Sequence, residues 1–168
     1  MKYLRISSLI IMLSFLLLSV ANAQNKTVKK QKSPISKAMQ KLLDTDNEFC
    51  KMSLTAGMKA AFINYADVEV IKMDQNKYPV FGLEDLKESM KNDKENPLHL
   101  IWVPVKAEVA KSNDLGYTFG NWQLLTKTQA GKDTCYYGNY VTIWKKQSNG
   151  KWKYVLDTGT STPRPIEK

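Results

Sequence analysis

The stretch that most limits what this chain can fold into is its last third, Asp114 to Thr160. It reads DLGYTFGNWQLLTKTQAGKDTCYYGNYVTIWKKQSNGKWKYVLDTGT, three runs rich in Thr, Tyr, Trp, Val and Ile separated by GKD and SNGK turn signals. β-Branched and aromatic residues suit a pleated surface, and short Gly-containing breaks between such runs close antiparallel neighbours. The spacing predicts strands at Leu115 to Leu125, Thr134 to Lys145 and Lys151 to Thr160, with Asn149-Gly150 as a tight hairpin turn. In the middle strand, alternation sends Tyr136, Tyr140 and Trp144 to one face and Tyr137, Val141 and Ile143 to the other. Apolar residues on both faces require cover on both. A further strand, Leu98 to Ala110, precedes these three, and Pro104 inside it predicts a bulge or an edge position.

Upstream, the pattern changes to helical. Pro34-Ile35-Ser36 reads as a helix start with Ser36 as N-cap. Met39, Leu42, Leu43, Phe49, Cys50 and Ser53 then form one stripe, with Lys37, Lys41, Asp44, Glu48 and Lys51 opposite. Asp46 falls near the middle of the apolar stripe. A carboxylate there must be hydrogen-bonded, paired or facing a cavity. A second short helix is expected from about Thr55 to Tyr65. Asp67 to Ile71 alternates like a strand, Asp74 to Lys77 is a turn, and Val80-Phe81-Gly82 is a brief second strand. Leu83, Leu86 and Met90 mark a third helix, with Glu84 and Asp85 at its positive end and Asn96-Pro97 as its stop.

The chain has 168 residues, enough for one domain with a real core. Residues 1–23 read as a secretory signal peptide: Lys2 and Arg5, an apolar run from Ser7 to Val20, then Ala21-Asn22-Ala23. The run is too short for a membrane span. Gln24 in place of Cys after the cut argues against a lipid anchor. Export to the periplasm or the exterior is therefore expected. Loss of Lys2 and Arg5 takes the formal net charge from +9 to +7, because the removed part has no acidic residue. Much of the excess lies in a basic flexible leader, residues 24–35, with Lys26, Lys29, Lys30 and Lys32. Such a run is a solvated leader or a patch that attracts an anionic surface. No aromatic residue interleaves with it, so nucleic acid is not an expected partner. The globular part is residues 36–160, followed by a loose tail, 161–168. The two cysteines, Cys50 and Cys135, would form one disulfide or remain two small buried side chains.

Several segments together carry a resemblance. They are LDTDNEF (43–49), VFG (80–82) ahead of the third helix, WVP (102–104), DLGYTFG (114–120), GNYVTIW (138–144) and GKWK (150–153) leading to Leu156-Asp157. In this order they resemble the nuclear transport factor 2-like superfamily, with its SnoaL-like and ketosteroid-isomerase-like members. The wording is similar to its domain of unknown function 4440 group. The resemblance spans roughly residues 36 to 160. It implies an α+β, cystatin-like cone: a curved antiparallel sheet covered on its concave face by three N-terminal helices, with a pocket between them. It also implies a homodimer through the sheet. Such folds host unrelated activities, so chemistry must be argued from the site.

Relatives that are isomerases or cyclases move a proton with a carboxylate inside the cone. Burial raises a carboxyl pKa and permits such work near neutrality. Asp46 is the first candidate and Asp157, late in the final strand, the second. The alternative for Asp46 is that it accepts hydrogen bonds and fixes the helix on the sheet. The first helix has no Tyr, which argues against the ketosteroid-isomerase arrangement. Phe49, His99, Trp102, Tyr117, Trp122 and Tyr140 are candidates to line a pocket for a small apolar or aromatic ligand, against ordinary packing. Gly116, Thr118 and Gly120 leave room for a close neighbour or a ligand. His99 is the only histidine and cannot alone make a recognisable metal site. No phosphate loop, Ser-His-Asp set, paired cysteine ligands or dinucleotide fingerprint is present, so no cofactor is expected.

Three readings follow. The first is an exported small-ligand-binding protein without catalysis. The second is a cofactor-independent isomerase, cyclase or lyase using Asp46 or Asp157 as base. The third is an interaction module acting through the sheet face or the leader.

Overall fold

Ser36 adopts extended backbone, and its hydroxyl oxygen accepts the Met39 N–H at 3.2 Å, capping helix α1 (Lys37–Ala56) as expected. In the computed structural model the described residues are 36–91 and 99–164, within one unit, Ile35–Lys168. Of His99 only the backbone is described. The signal peptide, the leader, the Asn96-Pro97 stop and residues 165–168 lie outside them. The stripe read from the sequence is the buried one: Leu42, Asp46, Phe49, Cys50 and Ser53 all point inward. Gly57 ends α1 and opens α2 (Met58–Tyr65). Its φ of 92° is one that glycine adopts without strain, and it places the break two residues later than the Thr55 expected.

After α2 come β1 (Ala66–Met73), β2 (Val80–Phe81) and α3 (Leu83–Ser89), then β3 (His99–Val109), β4 (Leu115–Lys127), β5 (Asp133–Lys146) and β6 (Trp152–Thr162). The six strands form one sheet in the order β2-β1-β6-β5-β4-β3. Strands β3 to β6 are the antiparallel meander foreseen from the last third of the chain. The sheet as a whole is mixed, because β1 runs parallel to β6. That pairing joins residues 85 to 88 positions apart and so lacks any hairpin signal. At Pro104 both expectations hold: β3 is an edge strand, and its register shifts between Pro104 and Lys106.

The core centres on Phe49. Its ring centroid is 4.8 Å from those of Phe62 and Trp102, 5.0 Å from Tyr65 and 5.7 Å from Tyr154. Edge-on, tilted and stacked pairs like these each add about 0.5–1.5 kcal/mol beyond their burial. The helices therefore seal one face of the sheet with rings from both layers. The opposite face is apolar and open: Val103 and Val105 are 55% and 56% exposed, and Leu115, Phe119 and Leu125 are exposed beside them.

Candidate functional site

Asp46 is carried inward by the helical period of α1, one turn before Phe49 and Cys50, and has no accessible surface. Three donors from three strands meet it. The Trp102 indole Nε1–H (β3) donates to Oδ1 at 2.9 Å, and the Tyr140 hydroxyl (β5) donates to Oδ2 at 2.8 Å. The Thr118 hydroxyl (β4) is the third donor. The Thr118 oxygen in turn accepts the Trp144 indole N–H at 2.9 Å. Burial pushes the Asp46 carboxyl above the usual carboxylate range, the Thr118, Trp102 and Tyr140 donors pull it back, and the Asp157 charge pushes it up again. Burial and the Asp46 charge raise the Tyr140 phenol, which stays a donor. Among the described residues no buried side-chain nitrogen or oxygen lacks a hydrogen-bond partner. With zero accessible surface, Asp46 borders no void large enough to admit water. It stands in the role of a clamp between α1 and three strands.

The glycines flanking this clamp explain the close fit. A Cβ on Gly116 would lie 2.8 Å from Leu42 Cδ2, and one on Gly120 would lie 2.5 Å from Tyr140 Cε1. The room these residues leave is taken by the protein's own side chains, not by open space. At Gly138 a Cβ would strike the Trp122 ring and the Thr160 carbonyl, so Trp122 lies flat across β5.

Further along the inner face is a second polar group that solvent reaches. Asp157 on β6 pairs across the sheet with Thr142 on β5 and with Lys72 on β1. The Thr142 hydroxyl donates to Asp157 Oδ1 at 2.7 Å, and Lys72 Nζ stands 3.5 Å from Asp157 Oδ2. Lys72 also pairs with Asp74 at 2.5 Å and lies over the Phe62 ring, 4.9 Å from its centroid. Both Lys72 and Asp157 side chains keep 14% of their surface exposed. Burial alone would lower the Lys72 ammonium pKa, but Asp157 and Asp74 outweigh it and raise the value. Sequence reasoning singled out Asp157 and missed Lys72 and Thr142. Only the β1–β6 register makes them neighbours, and no local pattern encodes it.

Of the expected ligand-lining residues, Phe49, Trp102 and Tyr140 come together around Asp46 as closed packing. Trp122 stands apart, half-buried on the same inner face, its indole donating to the Asn139 carbonyl at 3.2 Å. Tyr117 does not join them: strand alternation puts it on the outer face, where Lys106 Nζ lies 5.9 Å from its ring centroid. The His99 side chain lies outside the described residues. The disulfide considered for Cys50 and Cys135 is not formed, and both thiols are free. Cys50 faces inward from α1, where its sulfur accepts the Trp102 backbone N–H at 3.4 Å, while Cys135 lies on the odd-numbered, outward side of β5. Burial raises the Cys50 thiol, which removes nucleophilic character. A shallow cleft of about 440 Å³ at the other end of β5 and β6 is bounded by Cys135, Tyr136, Ser161 and Arg164 and touches none of the Asp46 group. Among the described residues no set of His, Cys, Asp and Glu is grouped to hold a metal ion.

This architecture, three helices on the inner face of a curved six-stranded sheet, is the nuclear transport factor 2-like and ketosteroid-isomerase-like fold. The chain is similar to a ketosteroid isomerase-like protein from Erwinia carotovora atroseptica SCRI1043, with a TM-score of 0.61 and 12% identity over 74% of this chain and 96% of that one. It is also similar to a nuclear transport factor 2-like superfamily protein from Salmonella enterica (TM-score 0.59, 11% identity, 76% and 92% covered). A third likeness is to the CaMKII hub of S. rosetta (TM-score 0.59, 15% identity, 76% and 98% covered). No family model and no curated protein sequence matches the chain. At these identities the likeness establishes the fold alone.

Proposed function

We propose that this is an exported binding module that takes a small ligand on its inner face without catalysing a reaction at Asp46. The contrast between the two interior carboxylates carries this reading. Asp46 has its oxygens filled by three protein donors and no exposure, whereas Asp157 and Lys72 remain in reach of solvent. A ligand with an apolar body and a polar end would lay the body along the half-buried Trp122 and set the end against Lys72 and Asp157. Native mass spectrometry of the purified protein tests it. A retained small molecule, lost in Lys72→Met and Asp157→Asn but kept in Cys135→Ser, is the expected result. Equal retention in all variants would place the ligand elsewhere. N-terminal sequencing of protein recovered from outside the cytoplasm tests export, the expected first residue being Gln24.

A second reading has its own observation. Val103, Val105, Phe119 and Leu125 form an uncovered apolar face, and the Asn139 side-chain amide donates to Asn121 Oδ1 at 2.6 Å between them. A second copy of the chain would bury that face, and the association domain of C. elegans CaMKII is a solved structure similar to this chain. Sedimentation velocity of wild type against Val105→Lys would separate a dimer from a monomer.

A further inference from the structure

Two hairpin turns lie side by side at one end of the sheet. The Lys146 N–H donates to the Asp114 carbonyl at 2.7 Å, which sets the β3–β4 turn (110–114) against the β5–β6 turn (147–150). Five lysines gather there: Lys111, Lys145, Lys146, Lys151 and Lys153. Lys145 and Lys153 are direct cross-strand partners. Like charges placed opposite each other oppose strand pairing, yet the sequence puts them there and adds Lys151 on the same side. Among the described residues none of these five forms an ion pair. Of the nearby carboxylates, Asp67 is buried and held by the Gln147 amide, and Asp114 accepts the Ser112 hydroxyl. The lysines are not on a loose segment, because Trp144, Trp152 and Tyr154 root both strands in the core. Lys153 Nζ donates to the Asn64 carbonyl at the end of α2, while Lys145 and Lys151 stand exposed beside it.

We propose that this end of the sheet docks on an anionic lipid bilayer, with Lys111, Lys145 and Lys151 meeting the headgroup phosphates and Lys153 adding its charge behind them. Adjacent turns at one end of a sheet can touch a flat surface together, and clusters of four or more lysines are what such surfaces attract. Lys111, Lys145 and Lys151 are exposed. The aromatic residues of the two strands here are buried, so no ring is offered for base stacking as single-stranded nucleic acid would need. An acidic peptide would need a groove, and the tip is made of turns.

The test is co-sedimentation of the full chain with phosphatidylcholine vesicles, with and without phosphatidylglycerol. The phosphatidylcholine vesicles report whatever the apolar stretch Ser7 to Val20 contributes, and the leader lysines are common to every variant, so the difference between variants in the phosphatidylglycerol-dependent increment is the readout. That increment is expected to fall on the order of tenfold in Lys145→Gln/Lys151→Gln and to be lost in high salt. Lys127→Gln/Lys132→Gln, at the opposite end of the sheet, removes the same charge and should leave it unchanged. Thermal melts of both variants confirm folding. No increment in wild type, or equal loss in the two variants, would overturn the proposal.

Discussion

The hydroxyl of Tyr140 donates to Asp46 Oδ2 at 2.8 Å, joining the middle of β5 to the middle of α1 across 94 residues of sequence. Because Asp46 is wholly buried, this bond is made in a dry setting where a missing partner is costly. Tyr140→Phe should therefore cost about 1–3 kcal/mol in urea unfolding. It should also push the Asp46 carboxyl further up, since one of the donors that hold it down is removed. Carboxyl-carbon NMR titration of the variant reads that shift directly; an unmoved titration would separate the phenol from the carboxylate.

Replacing Asp46 itself distinguishes a clamp from a base. Asp46→Leu leaves the Trp102 indole and the Tyr140 hydroxyl without an acceptor, an expected loss of about 3 kcal/mol or more. Asp46→Asn keeps the shape and carries no charge. The folded carboxyl titrates above its ordinary value of 3.8, so the folded state holds its proton more tightly than the unfolded chain. Wild-type stability relative to Asp46→Asn should then be greatest at low pH and fall as pH rises from 3.8 through the folded value. Paired melts across that range check the sign.

Gly120→Ala should cost about 1–3 kcal/mol, because its Cβ would run into the Val103 carbonyl and the Tyr140 ring. Gly150→Ala is the comparison: nothing lies within 4 Å of the added carbon, and only the φ of +79° opposes it. That strain alone is about 1 kcal/mol. Near-UV circular dichroism should change in the first variant, where an aromatic ring is displaced, and not in the second.

Lys72→Met removes the ammonium that Asp157 and Asp74 share while keeping an apolar stem over Phe62. Leaving Asp157 short of its partner should cost about 1–3 kcal/mol at neutral pH. The Lys72 pKa is raised, so its contribution is complete below 10.5 and disappears as pH climbs through the folded value. Wild type and variant should converge in strongly alkaline buffer, measured by urea midpoints.

How much of this was legible beforehand depends on how local the signal was. The Ser36 cap, the stripe through Leu42 and Phe49 and the Asn149-Gly150 turn follow from patterns within a few residues, and each stands where it was read. The inward carboxylate at position 46 was also legible, since one helical period fixes its side. What filled the space around it was not. Trp102 was read as lining a pocket and Thr118 as leaving room in one, and only the β3–β4–β5 register, which brings them over α1, shows them as donors that close it. Lys72 was harder still, because a lysine in an alternating strand reads as solvated, and only the parallel β1–β6 contact turns it toward Asp157. Tyr117 was misplaced for a simpler reason. Its strand offers aromatic residues to both faces, and hydrophobicity alone does not say which side the helices cover.

Strand β1 has two neighbours, β2 and β6, and the one that ties it to the rest of the sheet is the last of the six strands in sequence order. A chain halted anywhere before Trp152 can lay α1 on β3, β4 and β5, but it leaves β1 and β2 with no strand to join them to the sheet. Completion of the sheet waits for β6, so in the nascent chain β1 and β2 stay unpaired with the meander, and open to chaperones, until that strand has emerged.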